Sequence, residues 1–352
     1  MTELDELTRD IQPVDKRFLV QAEALLAQLT KPLKSLGRLE ELAARYVAIS
    51  RNLQPGIDKK VIFVFAADHG VTAEGVSAYP SEVTSQMVVN FLDGGAAVNV
   101  LAAHVGAEVK VVDIGVDHDF AGIAGLVHRK VRRGTRNICQ GAAMTDSEAM
   151  TALRAGWDLA KDAKRTGAHL LGMGEMGIGN TTASSAILAV LLDAGVKEVT
   201  GAGTGVEGEA WDGKVKAIKR AIAVNRARLM DPFHVLAALG GLEISGLCGL
   251  VLGAASAGLP VVVDGFIASV AALLAIRMVP SVRDYLFFAH ISREKGHRLL
   301  LDSLRVNPLL DLEMRLGEGT GAALAMTVIE AAVRLYSDMA TFEFAAVSQK
   351  SA

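Results

Sequence analysis

Apolar positions in this chain follow two alternating periods. "FLVQAEALLAQL" (18–29) and the run from Ser35, with Leu36, Leu39, Leu42, Ala43, Tyr46 and Val47, repeat at helical spacing. "NLQPG" (52–56) then breaks the chain and marks a boundary. Beyond it come short β-rich runs: "VIFVFA" (61–66), "VKVVDI" (109–114), "HLLGM" (169–173), "VTGAG" (199–203), "LPVVVDG" (259–265) and "YLFFA" (285–289). Ala-rich helical stretches lie between most of them. Strands that are apolar throughout and separated by helices predict a parallel sheet covered on both faces. The expected class is α/β, a doubly wound sheet of about six strands. The stretch 306–345 reads as mostly helical, with Ala322 to Tyr336 buried, and could pack on the N-terminal helices. "GLCGLVLGAASAGLPVVV" (246–263) is uncharged for 18 residues. Gly258 and Pro260 break it, so it reads as a buried helix and strand, not a membrane span.

The 352 residues are half apolar, enough for one large domain with a smaller one, or for two domains. A net charge of −3 gives no global reason to expect nucleic acid or an anionic membrane as partner. The basic run "HRKVRRGTR" (128–136) is either a solvated face or an anion site. Cys139 and Cys248 form no ligand spacing, which fits a reducing cytoplasm. The N-terminal residues mix charges and show no apolar signal segment.

Polar and glycine-rich residues cluster after the strands: "ADHG" (67–70), "DIGV" (113–116), "GEMGIGNTT" (174–182), "GTGVEGE" (203–209), "DGF" (264–266) and "AHIS" (289–292). Ligands of open parallel sheets bind beyond the carboxyl ends of the strands, so these loops predict one site. Gly172, Gly174 and Gly177 match a dinucleotide pattern, but Asp193 falls at a helix end instead of after the next strand. An anion cradle is the better reading, with Asn180, Thr181 and Thr182 at a helix start. Ordinary helix capping is the alternative. "GAGTGVEGEAWDGK" (201–214) forms either a second phosphate wall, with Lys214 as a point charge, or a surface turn. "YPSEVTSQMVVNFLDGGAAVNVLA" (79–102) reads as a turn and a helix capped by Ser81 or Thr84. Gln86 lies in its first turns, and Met87 and Phe91 share a face. Asp68, His69, His290 and His297 lack any metal-ligand spacing. Glu318, between Gly317 and Gly319, is a helix-start carboxylate or a catalytic base.

"KPLKSLGRLE" (31–40), "FAADHGV" (65–71), "YPSEVTSQMV" (79–88), "GEMGIGNTT", "VVVDGF" (261–266) and "GEGTGAALA" (317–325), in this order, closely resemble the nicotinate-nucleotide–dimethylbenzimidazole phosphoribosyltransferase family. The similarity runs from about Lys31 to the C-terminal helix. One position departs: the family usually has glycine where Lys34 stands. The resemblance implies a Rossmann-like large domain at 57–305. It also implies a small helical domain built from 1–56 and 306–352. The implied reaction converts nicotinate mononucleotide and 5,6-dimethylbenzimidazole into α-ribazole 5′-phosphate and nicotinate. A homodimer is implied as well; the residues themselves point to a cytoplasmic protein without metal or cofactor. Carried over by motif, Glu318 is the general base and Glu175 a second active-site carboxylate. Ser81, Gln86, Met87 and Leu316 belong to the benzimidazole pocket. Gly174, Gly177, Gly179, Asn180, Thr181, Gly203, Thr204, Gly205, Lys214 and Asp264 are assigned to phosphate and ribose.

The chemistry asks little of the protein. A pyridinium nitrogen leaves C1′ as a neutral ring, so no general acid is needed there. As a benzimidazole nitrogen attacks from the opposite face, its other N–H turns acidic, and one carboxylate suffices as base. Burial would raise the pKa of Glu318, while a helix start near Thr320 would lower it. Two rival readings are a nicotinamide-dependent dehydrogenase and a nucleotide-sensing module without turnover.

Overall fold

A computed structural model describes residues 3–203, 205 and 207–348. Among these residues six strands form one sheet: β1 (Lys60–Ala67), β2 (Ala107–Gly115), β3 (Val127–His128), β4 (Leu170–Met176), β5 (Val261–Val263) and β6 (Leu286–Phe288). All pairs are parallel, in the order β3-β2-β1-β4-β5-β6. This is the doubly wound arrangement expected, with the order reversing between β1 and β4. Every residue of β1 and β4 is buried, because helices cover both faces. On one face, helix Asp146–Arg165 packs on helix Leu242–Ser256 with the backbones almost touching. A Cβ on Gly156 would collide with the carbonyl of Gly246, and one on Gly249 with that of Leu153.

The strand expected at 199–203 is absent. Val196–Val199 is a helical turn, and Gly203 takes φ +56°. Glycines at 201 and 203 offer a ladder no side chains to pack. The sixth strand is instead β3, two residues long and too short to show a period. It touches the basic run, four of whose charges are paired: Lys130 with Asp113 at 3.1 Å, Arg133 with Asp117 at 3.8 Å, and Arg132 and Arg136 with Glu148 at 3.6 and 2.6 Å. These pairs brace the sheet edge, which favours the solvated-face reading of the run over an anion site.

Helices Lys16–Gln28 and Arg38–Ser50 pack together, and the latter packs on the C-terminal helix Thr320–Asp338, which also meets β4 and β5. The second helix begins three residues later than its periodicity suggests, after a turn with Lys34 at φ +59° and Gly37 at φ +55°. The chain from 306 is also less helical than expected before Thr320. It runs extended beside β6, with Leu309 N donating to Phe288 O (3.0 Å) and Ile291 N to Leu310 O (3.0 Å). Pro308 and the glycines at 317 and 319 keep a helix out of this stretch. The segment 79–102 likewise forms two helices, Glu82–Leu92 and Ala97–His104, broken at Gly94 and Gly95.

Candidate active site

Loops at the carboxyl ends of β4, β5 and β6 enclose a cavity of about 730 Å³. Its polar floor includes Glu175, Asn180, His290, Ser292 and Glu294. Its apolar wall includes Tyr79, Val83, Met87, Met176, Ile178 and Leu316. Glu318 closes one side.

The Glu318 turn is unusual backbone. Gly317, Glu318 and Gly319 sit consecutively at φ +83°, +64° and +89°. A side chain in this region is disfavoured by about 1 kcal/mol, and such strain persists only where neighbours enforce it. The enforcing neighbours are visible. Buried Asp264, just past β5, accepts hydrogen bonds from Gly319 N (3.1 Å) and Ala322 N (2.9 Å). Thr320 Oγ1 donates to Gly317 O at 2.7 Å. Gly174 of β4 lies directly beneath, where a Cβ would stand 2.6 Å from Glu318 O. Burial and the nearby Asp264 carboxylate lift the Glu318 pKa to about 7. The opposing pull of the helix start is overcome.

Glu175 is buried beside this turn and accepts a hydrogen bond from Asn180 Nδ2. Burial first, then the carboxylates of Asp264 and Glu243, hold its pKa well above the ordinary value. The floor therefore carries two carboxyls whose pKa values burial raises, and Glu318 is the one placed to titrate near 7. That arrangement suits proton abstraction.

At the other end, three expected residues converge. Lys214 Nζ donates to Thr181 Oγ1 at 2.8 Å, and a Cβ on Gly203 would lie 2.8 Å from that ammonium. Burial lowers the Lys214 pKa to about 8, partly offset by the Glu294 carboxylate. Thr181 lies in the first turn of helix Asn180–Leu191, so the positive end of the helix dipole and the ammonium favour an anion.

Among the expected residues, Glu175, Glu318, Gly177, Asn180, Thr181, Gly203, Met87 and Leu316 line the cavity. Gly174, Lys214 and Asp264 stand one layer behind it, and Gly179 caps the helix start at φ +98°. Gly205 lies in a turn away from the lining, and Thr204 lies outside the described residues. Gln86 is exposed on its helix, and Ser81, at the N-cap position, makes no side-chain cap bond; neither lines the cavity. Thr84 does not cap the helix either. Its buried Oγ1 accepts from Ile178 N at 3.2 Å, tying the apolar wall to the loop after β4.

Tyr79, Glu294 and Arg315 line the cavity without having been singled out. Glu294 follows strand-end His290 by four residues, and Arg315 precedes Glu318 by three, so a wider reading of both loops would have reached them. Asp68 and His69 are occupied elsewhere. Asp68 Oδ2 accepts from Asp117 N (2.8 Å), and His69 Nε2 bonds Glu243 Oε1 (2.7 Å) in the core. Exposed Asp193 leaves the glycine pattern without a ribose partner of dinucleotide type.

Comparison with known proteins completes the picture. A family model described as phosphoribosyltransferase (DBI_PRT) matches residues 11–347. The chain belongs to this phosphoribosyltransferase family. A relative from Geobacter sulfurreducens, named nicotinate-nucleotide–dimethylbenzimidazole phosphoribosyltransferase, is 58% identical over 349 residues, covering 99% of each chain. One of the same name from Pelodictyon phaeoclathratiforme is 55% identical, covering 97% of this chain and 96% of its own. The crystal structure of the Thermus thermophilus enzyme of that name superposes with a TM-score of 0.89 at 48% identity, covering 96% of this chain and 100% of that one. As a phosphoribosyltransferase, the chain must accommodate a phosphoribosyl donor and an acceptor. The dehydrogenase and sensor readings are set aside.

Proposed function

We propose that this phosphoribosyltransferase moves the phosphoribosyl group of nicotinate mononucleotide to 5,6-dimethylbenzimidazole, giving α-ribazole 5′-phosphate and nicotinate. The observation that carries this reading is Glu318, held over the cavity with its pKa lifted to about 7. Thr181, Gly203 and Lys214 hold the phosphate. The apolar wall of Val83, Met87, Met176 and Leu316 takes the flat acceptor ring. Nicotinate leaves from one face of C1′ while the benzimidazole nitrogen attacks the other, so configuration inverts. Glu318 accepts the acidified N–H of the attacking ring. Glu175, bonded to Asn180 and with its pKa held well above the ordinary value by burial, limits negative charge on the floor and so helps Glu318 to ionise.

The helices from both chain ends form the small domain in this reading. Two free, buried thiols fit a cytoplasmic site of action, and a homodimer is its expected assembly. Incubating the purified protein with both substrates and resolving the products tests the activity. α-Ribazole 5′-phosphate and nicotinate in equal amounts support it. Nicotinate released without the nucleotide product would indicate hydrolysis and remove the acceptor assignment. Light scattering tests the assembly.

A further inference from the structure

Two histidines follow β6, and they differ in one respect. His297 has both ring nitrogens satisfied: Nδ1 accepts from Ser292 N (2.9 Å), and Nε2 pairs with Ser269 Oγ (2.9 Å). Burial lowers its pKa to about 3, so it is a neutral structural group. His290 is as deeply buried, 1% exposed, yet neither of its ring nitrogens has a hydrogen-bond partner among the described residues. Its nearest carboxylate oxygen, Asp264 Oδ1, stands 3.9 Å from Nε2, beyond hydrogen-bond reach. Buried polar groups are rarely left so unless a ligand or water completes them.

His290 lines the cavity. Gly265, also in the wall, presents no side chain to the imidazole: a Cβ there would stand a tight 3.3 Å from His290 Nε2 and 4.0 Å from Ser292 Cβ. The same loop reaches the phosphate end through Glu294, whose Oε1 accepts from Gly203 N (3.0 Å). It therefore spans the cavity from the Lys214 end to the Glu318 turn, where the proposed function puts the ribose. The carboxylates of Asp264, Glu318 and Glu294 disfavour the nicotinate carboxylate here. A hydroxyl, both donor and acceptor, can satisfy the imidazole in either tautomer.

We propose that His290 Nε2 binds a ribose hydroxyl of the nucleotide donor, making it a substrate-positioning residue. This rests on the phosphoribosyl-transfer reading above.

The test pairs His290→Phe and His290→Asn with nicotinate mononucleotide and its 2′-deoxy and 3′-deoxy analogues, reading kcat/KM. Comparing donors within each enzyme cancels the intrinsic effect of the missing hydroxyl. The wild type should lose at least about tenfold more than His290→Phe when the contacted hydroxyl is removed, the scale of one buried hydrogen bond. His290→Asn should recover part of that coupling and supplies the cycle on its own if the Phe variant fails to fold. Equal losses in wild type and variant for both analogues would overturn the proposal, as would a change confined to the KM of the acceptor. If the wild type makes no nucleotide product from the parent donor, the functional reading itself fails, a result distinct from additive cycles.

Discussion

At the scale of residues, function opposes local preference at Glu318. It occupies a left-handed turn, in a low-dielectric site, with its pKa lifted to about 7. The base must be ionised to work. So kcat/KM should rise about tenfold per pH unit below pH 7 and level off above it. Glu318→Gln should lose about 10²-fold or more in kcat, the range for a general base, while the donor KM changes little. An acid limb near pH 4.5 would assign the proton transfer to another group. The same shift has a stability consequence. A carboxyl that holds its proton more tightly when folded stabilises the fold below its unfolded value of 4.5, and this contribution is lost as pH rises through about 7. Glu175, raised for the same reason of burial, adds in the same direction. Both Glu318→Gln and Glu175→Gln should therefore melt about 1–3 °C above the wild type at pH 8 and show no gain at pH 4. Thermal melts at the two pH values check this.

At the scale of elements, the Glu318 turn is held from outside by the end of β5. Asp264 accepts from Gly319 N and Ala322 N, so it satisfies free N–H groups of the C-terminal helix and fixes the turn together. Asp264→Asn replaces one acceptor by a donor facing an N–H. We expect kcat to fall about 10²-fold with the far-UV spectrum unchanged. The acid limb should also move to lower pH, since the Asp264 carboxylate helps to raise the Glu318 pKa. An unmoved limb would reduce Asp264 to a helix cap. The turn before helix Arg38–Ser50 gives a milder case. Lys34 stands at φ +59°, a conformation that favours glycine. Relief of that strain and the greater freedom of glycine in the unfolded chain nearly cancel. Lys34→Gly should therefore shift stability by under about 0.5 kcal/mol and leave turnover intact. A larger loss in denaturant titration would mean that the Lys34 side chain carries a contact of its own.

At the scale of the whole molecule, the strand order creates the site. The reversal between β1 and β4 parts their following loops, and the cavity opens beyond β4, β5 and β6. The C-terminal helix packs on the sheet and on helix Arg38–Ser50, so both chain ends hold the helix that carries the Glu318 turn. A ligand that spans the phosphate cradle and this turn should stabilise the whole fold. Nicotinate mononucleotide at 100 times its dissociation constant should add about 2.7 kcal/mol, read as a rise in Tm. Inorganic phosphate, which fills one end alone, should reach the same rise only at far higher concentration.

Much of this was legible in the residues because it depends on local period and composition. Continuous apolar runs such as 61–66 must be buried on both faces, and intervening helices make them parallel, which determined the α/β class. The glycine-flanked Glu318 and the 174–182 loop marked the chemistry by their position after strands or before helices. Distance in space was not legible. Thr181 and Lys214 lie 33 residues apart and Glu318 and Asp264 54 apart in sequence. Their meeting follows from strand order, which no local pattern encodes. The same holds for the segment 199–203, whose strand-like residues lie in a turn against Glu294, and for Ser81 and Gln86, whose motif lines the site through Met87 instead. The sequence by itself determined the α/β class, five of the six strands and which residue types carry the chemistry. Only the tertiary structure decided the pKa of Glu318, the part of Asp264 as a clamp and the unpaired state of His290. Each depends on burial and on neighbours brought together by packing across the sheet.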